Sequence, residues 1–430
     1  LKGNGGEGKS RIGVVMQKLL GGNMKNGSIT PIISIDAPTT RDVDDAFFIE
    51  ARPDGGWNLT LALACPAFRW PFGGKLDKAV FNRATSIYLP EATHHMLPEA
   101  LGTGAYSLLA QKTRPSLLIE CTVGADGLVA ACEPRVGYAR LAANLCYEDC
   151  ETALDGGESP ASPYLEQLRQ ALELARAHQE RRIEKGAVII ERPDITINLE
   201  GAGESITVSL DEDPLAPKAH LLVSELMVLT NAALAAWAKE HGVTLLHRTQ
   251  DVAIPKEFSG IWQTPLEIAR VVKALAPAVL ETNPRPHAGL GEAMYAPSTS
   301  PLRRYPDMIN ETQIISLLRD GKPRWSKEEL DTLLPLLNAH LDAAGQVQRF
   351  RPRYWKLLYF KQQGDRWWPA VITDENDAFV TVNMPKEQMI VRARRQFFGE
   401  RTHPGQELEI RLGKVHPLQN DFQLLETREI

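Results

Sequence analysis

The spacing of apolar residues changes along the chain. Between Ile32 and Ala64 they fall in three short runs, Ile32–Ile35, Ala46–Glu50 and Leu59–Ala64, which predict strands rather than helices. Asp54-Gly55-Gly56 stands between the last two and predicts a hairpin turn. The loop from Asp36 to Asp45 is therefore pinned between strands. Further on the period lengthens. Leu165, Leu168, Leu172 and Ala175 fall on one helical face, and Gly186 ends that helix. A longer, more apolar helix is expected over Lys218–His241, stopped by Gly242. Ser326 and Glu329 form a capping box ahead of another, with Leu333, Leu336 and Leu337 on its buried side. Ala187–Ile190 and Ile195–Leu199 read as strands between these helices.

After Arg353 the texture becomes all-strand: Trp367–Ile372, Ala378–Asn383, Gln388–Ala393 and Glu407–Leu412, separated by polar turns. Such a series fits a small closed barrel, the OB-fold being the commonest. Strands first and helices later, without regular alternation, predict an α+β fold. The expected organisation is a linker or the remnant of an N-terminal domain over 1–30, with a short helical stretch at Ile12–Leu20. A catalytic body follows over 31–352, and a barrel over 353–430.

Composition narrows the class. The 430 residues are 43% apolar and 24% charged, ordinary for a globular protein, and exceed what one core serves. No run of eighteen apolar residues occurs, so no membrane partner is expected. Cys65, Cys121, Cys132, Cys146 and Cys150 show no zinc or disulfide spacing, which predicts free thiols and a cytoplasmic setting. The net charge of −6 is unusual for a nucleic-acid protein, but positive charge is local. Arg349, Arg351, Arg353, Lys356 and Lys361 form one basic run, and Arg392, Arg394 and Arg395 another. Basic patches on an acidic body suit an enzyme that binds metals with carboxylates and phosphates with arginines.

The densest chemistry lies in Asp36-Ala-Pro-Thr-Thr-Arg-Asp42-Val-Asp44-Asp45. Four carboxylates so close repel one another unless cations neutralise them. Spacing alone leaves two readings, a solvated acidic turn or a site for Mg²⁺. A calcium loop is disfavoured, lacking the Gly at the sharp turn and the closing Glu.

The pattern Ile35-Asp36-x-Pro-x-Thr-x-Asp42-x-Asp44-Asp45-Ala46 resembles the signature of the ribonuclease II (RNB-type) catalytic domain. Leu76-Asp77-Lys78-Ala79, Arg83-Ala84, Tyr88-Leu89-Pro90 and Met96-Leu97-Pro98 resemble its next stretch. Pro286-His287-x-Gly289-Leu290-Gly291, Tyr295 and Thr299-Ser300-Pro301-Leu302-Arg303-Arg304-Tyr305-x-Asp307 resemble a second signature. The match runs from about 32 to 320.

The resemblance implies a Mg²⁺-dependent exoribonuclease, with Mn²⁺ as a substitute and no organic cofactor. It would act on single-stranded RNA from the 3′ end and release nucleoside 5′-monophosphates down to a short end product. Asp36 and Asp45 would hold one ion, and Asp42 and Asp44 the second ion and the attacking water. Arg303 would grip the scissile phosphate, with Arg304 beside it, while Tyr305 and Asp307 position the segment. Tyr147 would pack on the 3′-terminal nucleotide and Tyr88 serve the other end of the bound strand. Tyr295 also belongs to the substrate-binding set. Glu225, alone in an apolar helix, has two candidate partners, a ribose 2′-hydroxyl or a buried arginine. His94-His95 and His247 are read as structural.

The chain also departs from the family's pattern. Cys65 replaces an Asp, Ile189 and Ile190 stand where a stacking Phe is expected, and Gln250 where a His is common. The basic run at Arg349–Arg353 replaces a Glu, and no paired cold-shock barrels precede Asp36. A catalytically inactive RNA-binding protein on the same fold is the rival reading, and a phosphatase for small substrates a third. Retention of all four aspartates and Arg303 weighs against the first, and the barrel and basic run against the second.

Overall fold

In the computed structural model, which describes residues 31–430 except Glu400, the three N-terminal apolar runs become neighbouring strands. They are β1 (Ile33–Asp36), β2 (Asp45–Ala51) and β3 (Trp57–Ala64). The expected turn forms, with Arg52 N–H donating to Gly56 O at 2.7 Å. Gly55 takes φ +89°, and a Cβ on Gly56 would meet Val123 O at 2.2 Å, so both glycines are required. The segment 1–30, with its expected helical stretch, lies outside the described residues.

Chain order continues with α1 (Lys75–Arg83), the small hairpin β4 (Ile87–Leu89) and β5 (Ala92–His94), and the long hairpin β6 (Thr113–Val123) and β7 (Val129–Arg140). Next come β8 (Ala143–Cys146), α2 (Tyr147–Leu154) and α3 (Leu165–Glu184). Six of these strands make one sheet in the order β7-β6-β3-β2-β1-β8. All neighbours run antiparallel except β1 and β8, where Asp36 is the partner of Cys146.

This sheet is covered on both faces. Leu59, Leu61 and Leu63 pack into one core with the helices α2 and α3, while Ala62 and Ala64, pointing the other way, join a second core. Short connecting elements follow: β9 (Val188–Ile190), β10 (Ile195–Glu200), β11 (Thr207–Glu212), then α4 (Pro217–Glu240), β12 (His247–Thr249), β13 (Gly260–Trp262), α5 (Pro265–Val272) and β14 (Val279–Glu281). By length and composition α4 could cross a membrane, and 61% of its most apolar window is buried inside the protein. It serves here as the central core helix, through Leu222, Leu226, Leu229 and Leu234.

α6 (Tyr305–Asp320) and α7 (Lys327–Gln363) close the body. The expected capping box is present: Glu329 N–H donates to Ser326 Oγ, and Ser326 N–H donates to Glu329 Oε2 at 2.8 Å. Two details differ from expectation. Leu336 is 55% exposed; the buried side runs through Leu330, Leu334 and Leu337. The helix also runs past the expected boundary at 353. Pro352 removes one N–H, but burial of Trp355, Leu357 and Phe360 keeps the helix going.

Leu357 and Phe360 enter the core of the terminal sheet, formed by β15 (Trp367–Glu375), β16 (Phe379–Met384), β17 (Met389–Arg394), β18 (Glu407–His416) and β19 (Asp421–Glu429). The order is β17-β16-β15-β18-β19, with bulges in β15 and β18 that curl it. The result is a curled five-stranded sheet, consistent with the expected OB-fold. β19 carries only Phe422 and Leu424 towards this core, too sparse a signal for sequence alone.

Candidate active site

β1 ends at Asp36 and β2 begins at Asp45, so the sheet itself places both carboxylates. The loop between them is tied down by Ser107, whose Oγ accepts from Val43 N–H at 3.0 Å and donates to Arg41 O at 2.9 Å. Leu108 N–H adds a bond to Val43 O, and Ala64 N–H one to Asp44 O. These ties turn Asp42 and Asp44 inward, where they are 7% and 3% exposed. The solvated-turn reading fails on that burial.

All four aspartates line one cavity of about 580 Å³ together with Tyr88, His95, Glu99, Tyr147 and Arg303. The second signature enters as the lead into α6. Leu302 N–H donates to Asp44 Oδ1 at 2.8 Å and Arg303 Nε to Asp44 Oδ2 at 2.9 Å. Arg303 O accepts from Ser86 N–H and Thr85 Oγ1, which fixes the backbone beneath the guanidinium. Among the described residues only Nε is committed, leaving the terminal nitrogens of a 45%-exposed side chain for a ligand. Tyr88 Oη donates to Asp42 Oδ2 at 2.8 Å, and His95 Nδ1 lies 3.4 Å from the same oxygen.

Burial dominates the electrostatics. It pushes Asp36 up to about 6, Asp44 to about 7 and Asp45 to about 8, and neighbouring carboxylates add to each rise while Arg303 opposes it. Tyr88 and Tyr147 also move upward, by burial and then by Asp42 and Asp45 respectively. Burial works against the charge on Arg303, but Asp44, Tyr88 and Asp45 together outweigh it and hold the group firmly cationic.

No three His, Cys, Asp or Glu side chains among the described residues are already gathered as a metal ligand set. Asp44 is turned to Arg303 instead. The donors nevertheless fit a hard divalent cation: Asp36 Oδ2 is buried without a hydrogen-bond partner, and the carboxyls beside it are disfavoured as anions without added positive charge. Asp36 and Asp45, at the facing ends of β1 and β2, are the pair best placed to supply such a charge with oxygens.

Other expected residues lie elsewhere. Glu225 is held in the α3–α4 core by Arg182 and by His178 Nδ1 at 2.7 Å, so the buried-arginine alternative is the one realised. Arg304 turns from the cavity to Asp307, 2.6 Å away. Tyr295 packs behind it, its Oη accepting from Asn231 Nδ2 at 3.0 Å. Tyr305 Oη donates to Asp77 Oδ1, which also accepts from Trp70 Nε1, so these signature residues brace α1 against α6. The basic run is largely spent on packing: Arg351 binds Glu91, Arg353 lies over Phe422, and Lys356 donates to Gln388 O. Cys65 is buried beside Glu311, a carboxyl that burial raises well above its usual range.

His247, read as structural, is buried, and burial pushes it down to about 4. His95, read the same way, lies in the cavity wall, as does Glu99, which the sequence did not single out. The nearness of His95 to Asp42 depends on the β4–β5 hairpin that precedes it, which has no sequence periodicity to announce it.

Similarity to known proteins agrees with this arrangement. The family model of the RNB domain matches residues 25–320. An uncharacterized ribonuclease of Synechocystis is 26% identical over 91% of this chain and 58% of its own length. Exoribonuclease 2 of Erwinia tasmaniensis is 29% identical over 73% and 54%, and ribonuclease R of Vibrio parahaemolyticus 28% identical over 68% and 39%. The chain thus spans about half the length of these relatives. Among solved structures, Mycoplasma genitalium RNase R in complex with ribose-methylated single-stranded RNA superposes with a TM-score of 0.78, at 18% identity over 96% of this chain and 75% of that one. Yeast Ssd1, described as a pseudonuclease, gives 0.66 at 15% identity over 92% and 52%. Sequence signatures, sheet and carboxylate cavity converge on one conclusion: the chain belongs to the RNB-domain family.

Proposed function

We propose that this chain is a 3′→5′ exoribonuclease that hydrolyses single-stranded RNA to nucleoside 5′-monophosphates, leaving a short oligonucleotide. The observation that carries the reading is the convergence of Asp36, Asp42, Asp44, Asp45 and Arg303 on one cavity. Direction and product rest on likeness to relatives named exoribonuclease 2 and ribonuclease R. The unbridged thiols accord with a reducing, cytoplasmic setting.

Asp36 and Asp45 would hold Mg²⁺, with Asp42 and Asp44 serving a second ion. Such ions would supply positive charge at the phosphodiester and ease ionisation of the attacking water. Arg303 binds the scissile phosphate through its uncommitted nitrogens, where a planar guanidinium can grip two oxygens. Asp44 orients it, by holding Nε and the Leu302 N–H together. Tyr88 and His95 fix the carboxylate of Asp42, and the curled terminal sheet offers a basic and aromatic surface to the incoming strand.

Purified protein with Mg²⁺ and 5′-labelled RNA should give a ladder that shortens to a limit, and EDTA or Asp44→Asn should abolish it. Binding that survives EDTA without any Mg²⁺-dependent shortening would favour the inactive RNA-binding reading. Degradation unaffected by Asp44→Asn would end the proposal.

A further inference from the structure

His95 directly follows the β4–β5 hairpin and lines the wall of the carboxylate cavity, with a side chain only 13% exposed. Its Nδ1 is buried and has no hydrogen-bond partner among the described residues. It faces Asp42 Oδ2 at 3.4 Å, longer than an ordinary N–H···O hydrogen bond. That oxygen already accepts from Tyr88 Oη at 2.8 Å. The backbone beside His95 is held firmly. Arg83 Nη1 donates to Met96 O at 3.2 Å, Met96 N–H donates to Ser86 Oγ at 2.8 Å, and Met96 and Leu97 are buried. Ser86 N–H in turn donates to Arg303 O. The imidazole is therefore aimed by the same backbone that fixes the guanidinium, and its inner nitrogen is left uncommitted.

We propose that His95 Nδ1 is a nitrogen ligand for the divalent ion at Asp42, and that it makes this position select Mn²⁺ over Mg²⁺. The inference rests on the metal-dependent nuclease reading and assigns one ligand within it. Buried polar atoms are nearly always partnered, so an orphaned ring nitrogen facing a carboxylate oxygen points to a cation between the two. Neighbouring ligands of an octahedral ion, each about 2.1 Å from it, stand roughly 3 Å apart, so a small movement of the ring suffices. The imidazole that binds is the neutral form, with its lone pair on Nδ1 and its proton on Nε2. Mg²⁺ prefers oxygen and gains little from imidazole. First-row transition ions accept imidazole readily, and Mn²⁺ among them also takes carboxylate and water oxygens. Asp36 and Asp45 offer only oxygens and suit Mg²⁺, so the two ion positions differ in their chemistry.

The test is Mn²⁺ binding to the full chain without RNA, which separates the ligand from catalysis. Pulsed EPR in excess Mg²⁺ should show bound Mn²⁺ with a nitrogen hyperfine coupling, a result that needs no variant. His95→Ala should abolish the coupling and weaken Mn²⁺ by about tenfold or more, while the Mg²⁺ Kd from calorimetry moves by less than about twofold. Oxygen-only Mn²⁺ in wild type, or a nitrogen coupling that survives His95→Ala, would overturn the ligand and leave the nuclease reading to its own RNA assay. A His95-dependent coupling without metal-dependent shortening of RNA would keep the ligand and defeat the nuclease reading. Failure of wild type to hold either ion would defeat both.

Discussion

Asp44→Asn should make the metal-free protein more stable while removing its activity. Asp44 is 3% exposed and accepts from Leu302 N–H and Arg303 Nε, yet burial still raises it from 3.8 to about 7. Below pH 3.8 the group is protonated in both folded and unfolded chains and contributes no pH-dependent term. Between there and about 7 the unfolded chain loses its proton first, so stability falls as pH rises. Above about 7 the loss is complete. At about 1.4 kcal/mol per pH unit the full penalty is roughly 4 kcal/mol, and relaxation around Asp42 and Asp45 brings the expected gain to roughly 2–4 kcal/mol. Asparagine keeps an acceptor for Leu302 and never ionises. Thermal unfolding in EDTA at pH 8 should therefore show Asp44→Asn melting several degrees above wild type, with the gap closing towards pH 4. Added Mg²⁺ should raise wild type far more than the variant. RNA hydrolysis should fall by about 10²–10⁴-fold. An Asp44→Asn protein less stable than wild type at pH 8 in EDTA, or a gap that ignores pH, would refute the claim that burial holds the ionised Asp44 at a cost to the fold.

Arg303→Lys keeps the charge but loses both the Nε bond to Asp44 and the forked donors. The expected result is about a hundredfold loss in kcat with RNA binding in EDTA little changed, measured by single-turnover cleavage and anisotropy. Glu225→Gln leaves Arg182, 4% exposed, without its countercharge in the core. It should cost about 3 kcal/mol in denaturant unfolding while activity per folded molecule holds; equal loss of activity would return Glu225 to the substrate path.

The sequence alone determined much of the site because its chemistry is local. Asp36 through Asp45 lie within one loop, and their shared sign forces a choice between solvent and cation wherever the loop sits. Strand and helix types were likewise set by the spacing of Leu59, Leu61 and Leu63 or Leu165, Leu168 and Leu172, since period is a property of neighbours.

Tertiary structure decided what depends on distant partners. It joined Asp44 to Arg303 across 259 positions and brought His95 to Asp42 through a short hairpin. It gave Glu225 to Arg182 rather than to a ribose, and the basic run of α7 to Glu91 and the terminal sheet. It carried α7 through Pro352, because Leu357 and Phe360 had a core to enter. A side chain's periodicity says which face it is on. What waits opposite that face is set by the packing of elements far apart in the chain, and that choice separates a structural residue from a chemical one.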